Sequence, residues 1–217
     1  KPSTDNRVFV NAYGSLNGRT ELNTHFNTTF SERWSTGLFV HANNRSQKFD
    51  RNNDSFLDMP LSKQLNIMNR WQYSNLQKGL ISFLNIRYLT DEKQSGQLGY
   101  SPEIDRFSNN VWGSEIDTKR FEVSSKFGYV NPEIPYQSIG FQLSYSHHNQ
   151  RSYFGLNQYD IQHYSLYSNL VYNSIISDSR HKIKTGLSVT YDGYDETVNS
   201  KFYGRKEQSL GTFFEYS

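Results

Sequence analysis

The strongest constraint in this chain is a period of two. In "TELNTHFNTTF", residues 20–30, Leu22, Thr24, Phe26, Thr28 and Phe30 fall on one face of an extended strand, while Glu21, Asn23, His25, Asn27 and Thr29 fall on the other. "RFEVSSKFGYV", residues 120–130, sets Phe121, Val123, Phe127 and Tyr129 against Glu122, Ser124 and Lys126. "SIGFQLSYSHH", residues 138–148, sets Ile139, Phe141, Leu143 and Tyr145 against Gln142, Ser144 and Ser146. "HYSLYSNLVY", "KIKTGLSVTY" and "QSLGTFFEY" follow less strictly. Such segments start near residues 7, 19, 33, 64, 79, 118, 138, 161, 182 and 207, ten in all, each near the ~9–11 residues of a tilted strand crossing a bilayer.

A sheet with one apolar and one polar face is built either by a soluble β-sandwich or by a transmembrane β-barrel, and composition bears on the choice. The chain is polar on average, with a mean hydropathy of -0.79, yet 16% of its residues are aromatic. That pairing suits strands that turn one face to lipid and the other to a wet lumen. Strands longer than the usual 5–6 residues and connections of alternating length also favour the barrel. The expected connections run short "SER", long 44–63, short "NLQKG", long 90–117, short "NPEIP", moderately long 149–160, then "NSIISDSR" and "DETVNSKFYG". Phe30 and Trp34, Trp71 and Tyr73, Tyr129 and Tyr136, and Tyr172 cluster around the short turns, as an interfacial girdle would. Pairing through "NPEIP" predicts Tyr129 opposite Ile139, Phe127 opposite Phe141 and Val123 opposite Tyr145. Pairing through "SER" sets His41 opposite Asn23.

Other classes are excluded or weakened. A net charge of +2 without a basic stripe gives no nucleic-acid partner. The absence of cysteine removes disulfides, thiolate metal sites and thiol nucleophiles. No apolar run approaches the ~18 residues of a membrane helix, and the polar opening "KPSTDNR" does not read as a leader. No G-x-S-x-G, P-loop or H-E-x-x-H motif occurs. His147 and His148 are adjacent on a strand and point to opposite faces. The nearest acid–base pair, His181 with Asp178, sits on a short turn, so no enzymatic activity is expected.

Two loops carry the candidate binding residues. Counted from Asp50 as in an EF-hand loop, Asp50, Asn52 and Asp54 take positions 1, 3 and 5 and Asp58 position 9, a set of hard oxygens suited to Ca2+. Ser55 replaces the turn glycine and Leu61 the bidentate glutamate; the alternative is that these residues cap their own backbone. Tyr100, Trp112, Tyr153 and Phe154, set among Asn and Gln in the other outer connections, are candidates to bind a bulky amphipathic substrate, or else to pack the loops together.

The runs "RWSTGLFVHANN" and "DRNNDSFLDMPLSKQLNIMNRWQY", about residues 33 to 75, resemble the barrel of TonB-dependent outer-membrane receptors of Bacteroidetes, especially the cobalamin and iron-chelate type. The resemblance implies a barrel of about 22 strands filled by a plug. Residues 1–217 would then be an internal segment of it, since plug sequence, TonB box, remaining strands and a terminal aromatic are not among them. It further implies active uptake of a scarce nutrient across the outer membrane of a Gram-negative bacterium. The partners would be the rest of the receptor, a TonB-type energy-coupling protein, a surface lipoprotein and the lipid bilayer. Two alternatives stand beside it: a complete small passive barrel, and a soluble or surface β-sandwich that binds glycans.

Overall fold

The computed structural model describes residues 6–217. Its ten strands are β1 (Val8–Gly14), β2 (Arg19–Thr29), β3 (Trp34–Arg45), β4 (Leu61–Asn75), β5 (Leu80–Gly96), β6 (Gly113–Val130), β7 (Ser138–Phe154), β8 (Asn157–Ile176), β9 (Asp178–Val198) and β10 (Lys201–Tyr216). They form one all-antiparallel sheet in the order of the sequence, each strand paired with its chain neighbours. The sheet is open: among the described residues β1 and β10 are not paired with each other. Among the described residues no second sheet packs against it, so they form a single sheet and not a β-sandwich.

The ladders reproduce the expected register. Val123 pairs with Tyr145, Phe127 with Phe141 and Tyr129 with Ile139, and Asn23 pairs with His41. Because side chains alternate at every residue, a pairing partner shares its neighbour's face, and the apolar set lines up across the sheet. One row runs Phe26, Leu38, Asn69, Ile86, Val123, Tyr145, Leu166 and Tyr191. The row below runs Thr36, Trp71, Leu84, Ser125, Leu143, Ser168, Val189 and Leu210. Most of these apolar side chains are exposed, Trp71, Val123 and Tyr191 being half-buried, whereas the polar neighbours Gln142, Ser144 and Ser146 are half-buried on the opposite face. Tyr100 and Tyr153 are the buried large apolar residues among the described ones, and both belong to the loop end of the sheet.

The strands are longer than the alternation indicates. From β4 to β10 they hold 15 to 21 residues, not 9–11. The expected connection 149–160 is a hairpin turning at Gly155 and Leu156, with Gly155 at φ 63°. "DETVNSKFYG" turns at Asn199 and Ser200, whose φ angles of 47° and 70° are those of a type I′ turn. "NSIISDSR" reduces to Ser177 between two strands, beside a bulge at Ile175/Ile176. Loops remain only at 46–60 and 97–112 on one end, the latter including the one-turn helix α1 (Pro102–Asp105). Above the apolar rows both faces of the strands are polar, as in the row Asn44, Lys63, Glu92, Asp117, Arg151 and Asp160. The period-two signal stops there although the strand does not.

At the other end the short turns carry rings. Phe30 stacks on Trp71 at 5.7 Å and Trp34 meets Tyr73 at 5.0 Å, a contact that adds about 0.5–1.5 kcal/mol per pair beyond burial. Register can be tested because the chain has no cysteine. Oxidation of the Phe127→Cys/Phe141→Cys variant is expected to cross-link β6 to β7, whereas Phe127→Cys/Gln142→Cys, with side chains on opposite faces, stays reduced on a non-reducing gel.

Candidate functional site

The two loops at the open end fold onto the sheet by different means. In loop 46–60 Asp50, Asp54 and Asp58 are turned toward the loop's own backbone, and Asn52 toward the side chain of Asp54. Asp50 accepts from the amides of Asp54 (3.1 Å) and Ser55 (2.9 Å), Asp54 from the amide of Phe56 (2.8 Å) and the Asn52 side chain (2.9 Å), and Asp58 from the amide of Arg51 (3.1 Å). Asn53 and Ser55 sit at φ 58° and 68°, the left-handed conformation that such side-chain capping supports. Asp50, Asp54 and Asp58 thus cap the turns of the loop, and Asn52 braces Asp54. Among the described residues no group of three or more carboxylate or imidazole side chains converges as metal ligands would. These bonds occupy part of each carboxylate's acceptor capacity, which is about four lone-pair sites per group.

Loop 97–112 is held by aromatic packing. Tyr100 is 3% exposed and Tyr153 4%; their rings stack at 6.4 Å, and Phe107 meets Tyr153 edge-on at 4.9 Å. The Tyr100 hydroxyl donates to Glu115 (2.8 Å), Arg106 also binds Glu115, and the Tyr153 hydroxyl accepts from the Phe107 amide (2.8 Å). Burial, then the Glu115 carboxylate, push the Tyr100 phenol above its ordinary range. Gly113 provides the seat, since a Cβ there would lie 2.4 Å from the Tyr100 ring. Glu115 and Tyr153 share the face of the apolar rows, so this loop lies on that side of the projecting strands. Of the two uses expected for Tyr100 and Tyr153, ligand binding or loop packing, the contacts present are those of packing. Trp112 (46%) and Phe154 (41%) stay exposed, Trp112 6.2 Å from Phe56, and Phe154 on the polar face.

The polar face carries a hydrogen-bonded array that sequence reading singled out only at His25 and His41. His41 meets Asn23 at 2.6 Å and Asn43 at 3.2 Å, and Asn43 donates to Gln64. Arg70 donates to Asn85, which donates to Ser124. Arg87 donates to Asn66 and Glu122, and Arg120 to the same Glu122. Farther along, His163 bonds Asp192 at 2.9 Å and stacks on Tyr194 at 4.3 Å. Arg205 lies 3.9 Å over the same Tyr194 ring and bonds Glu196 and Glu207. The signal that could have found these groups is parity: once the register is set, they are the same-face residues of successive strands.

At the short-turn end Asp178 is taken by Arg180 (2.8 Å), while His181 meets Tyr216, so the two form no acid–base dyad. No protein-family model, curated protein or solved structure matches the chain.

Two outcomes test the loop assignments. Tyr100→Ala should cost about 3–5 kcal/mol locally and free loop 97–112, read as fast tryptic cleavage after Arg106. Asp50→Ala should raise proteolysis of loop 46–60, with Ca2+ and EDTA giving the same digestion pattern for the native chain.

Proposed function

We propose that this sheet is part of the wall of an outer-membrane transport barrel, the apolar face toward lipid and the polar face toward a lumen. The observation that carries the reading is the inversion of ordinary burial: the aligned apolar rows are the exposed face of a single sheet, with nothing among the described residues to cover them. So large a contiguous apolar surface marks a partner or a membrane. From Phe121 to Tyr129 the apolar face of β6 covers nine residues, about 27 Å of strand, close to the ~25 Å apolar band of such barrels. The strands then continue with both faces wet, as walls do that stand above a membrane. The rings at the short turns fit the opposite interface.

The open edges of β1 and β10 support a sheet that is continued by further strands, because an unpaired strand edge is not tolerated in hydrocarbon. With the resemblance of residues 33–75 to TonB-dependent receptors, this favours a large plugged barrel over a small passive one. In that setting a TonB-type partner supplies the energy, and the cargo is a bulky, scarce nutrient of the corrinoid or iron-chelate class.

Two measurements on the full-length protein test this. An antibody against this segment should find a band several times heavier than 25.4 kDa, extracted from outer membranes only with detergent. A soluble band would overturn the membrane reading, and a membrane band at the segment's own mass would leave only the small barrel. In addition, Leu143→Arg, in the middle apolar row, should destabilise by about 2–4 kcal/mol in membranes, while Gln142→Arg, one residue away on the polar face, should leave folding unchanged.

A further inference from the structure

The polar face of β4–β6 is charged unevenly. Four cations occupy four successive rows of that face: Lys126, Arg70, Arg87 and Arg120. They run down the wall for roughly 20 Å, the rise of three two-residue steps. One carboxylate, Glu122, stands among them, and it is shared by Arg87 and Arg120. Arg70 is held by the neutral amide oxygen of Asn85 at 2.6 Å, and Lys126 faces Phe83 and Gln142 across its ladders. The next strands offer no compensation in these rows: β7 contributes Gln142, Ser144, Ser146 and His148, and β8 contributes Asn169, Tyr167, Ser165 and His163. By contrast Arg205 on β10 has two carboxylates of its own. Lys126 is exposed, while Arg87 and Arg120 keep 38% and 39% of their side-chain surface open.

We infer that this strip is a track for anionic solutes bearing carboxylate or phosphate groups, which pass or bind along the β4–β6 wall. Cations of one sign on a low-dielectric wall repel each other and raise the local concentration of counter-ions. An anion relieves that repulsion at Arg70 and Lys126, while the guanidinium of Arg70 offers paired donors to a planar carboxylate or a phosphate. Asn66, Asn85 and Gln142 nearby can complete the hydrogen bonding without adding negative charge. The inference rests on the barrel-wall reading and deepens it by naming the charge of the cargo.

The test is equilibrium binding of citrate and of pyrophosphate, with sucrose as the uncharged probe, to the full-length protein in neutral detergent. Saturable binding of either anion, weakened by added salt, is expected, with citrate alone assigning carboxylates and pyrophosphate alone assigning phosphates. Arg70→Gln/Lys126→Gln should weaken it by roughly tenfold or more. Arg70→Lys/Lys126→Arg, which keeps both charges, should retain most of it and so separates lost charge from lost folding. Lys119→Gln, on the opposite face, should bind as the native protein does. Absence of saturable anion binding, equal binding of sucrose, or an equal loss in Lys119→Gln would overturn the inference. A protein that needs detergent for extraction but binds no anion loses the track and keeps the barrel; one that binds anions without needing detergent loses the barrel.

Discussion

Nine antiparallel ladders of backbone hydrogen bonds hold ten strands edge to edge, and nothing else of the described chain stands behind the apolar rows. Each bond contributes only about 0.5–1.5 kcal/mol net in water, where the unfolded chain finds equivalent partners. In surroundings that offer no such partners, an unmade backbone bond becomes expensive and the same ladders become obligatory. The arrangement thus depends on where the exposed rows of Phe, Leu, Ile and Tyr are placed. An aqueous setting leaves them as a large uncovered patch; a lipid setting makes them the ordinary exterior.

That dependence explains how the two faces divide the work. The face with Arg70, Arg87, Glu122, Arg120, His163 and Asp192 spends its side chains on hydrogen bonds across strands and, between Arg120 and Glu122, along one. The other face needs no such partners within its apolar rows. Only above them does it become polar, and there loop 97–112 folds down on it through Tyr100, Tyr153 and Gly113. The loop aromatics thereby leave the polar face clear of their bulk.

Strand number, strand order and the register across "NPEIP" and "SER" were legible in the sequence, because where one face is apolar a one-residue slip would move every such side chain. The upper halves of β6 to β10 were not legible. Where Asn149, Arg151, Asp160 and Gln162 stand, water reaches both faces, so a strand there shows no alternation and resembles a loop. The loop residues were open to two readings for another reason. Asp50 and Asp54 are spaced as calcium ligands are, but that spacing also suits capping of the next amides, and the capping bonds are visible only in the folded loop. The burial of Tyr100 was not legible because its seat, Gly113, is an absence of side chain and leaves no mark on hydropathy. Arg70, Arg87 and Arg120 are scattered over fifty residues, and only pairing brings them together.

The meander order of the strands bears on how such a sheet comes into being. Every strand bonds only to those just before and just after it in the chain, so no strand has to be threaded between two already in place. Apart from loops 46–60 and 97–112 the closures are also short: Asn199 and Ser200 suffice between β9 and β10, and such a hairpin costs little loop entropy. Growth can therefore proceed one hairpin at a time from either margin. At each stage the last strand laid down is both a finished part of the wall and the template for the next.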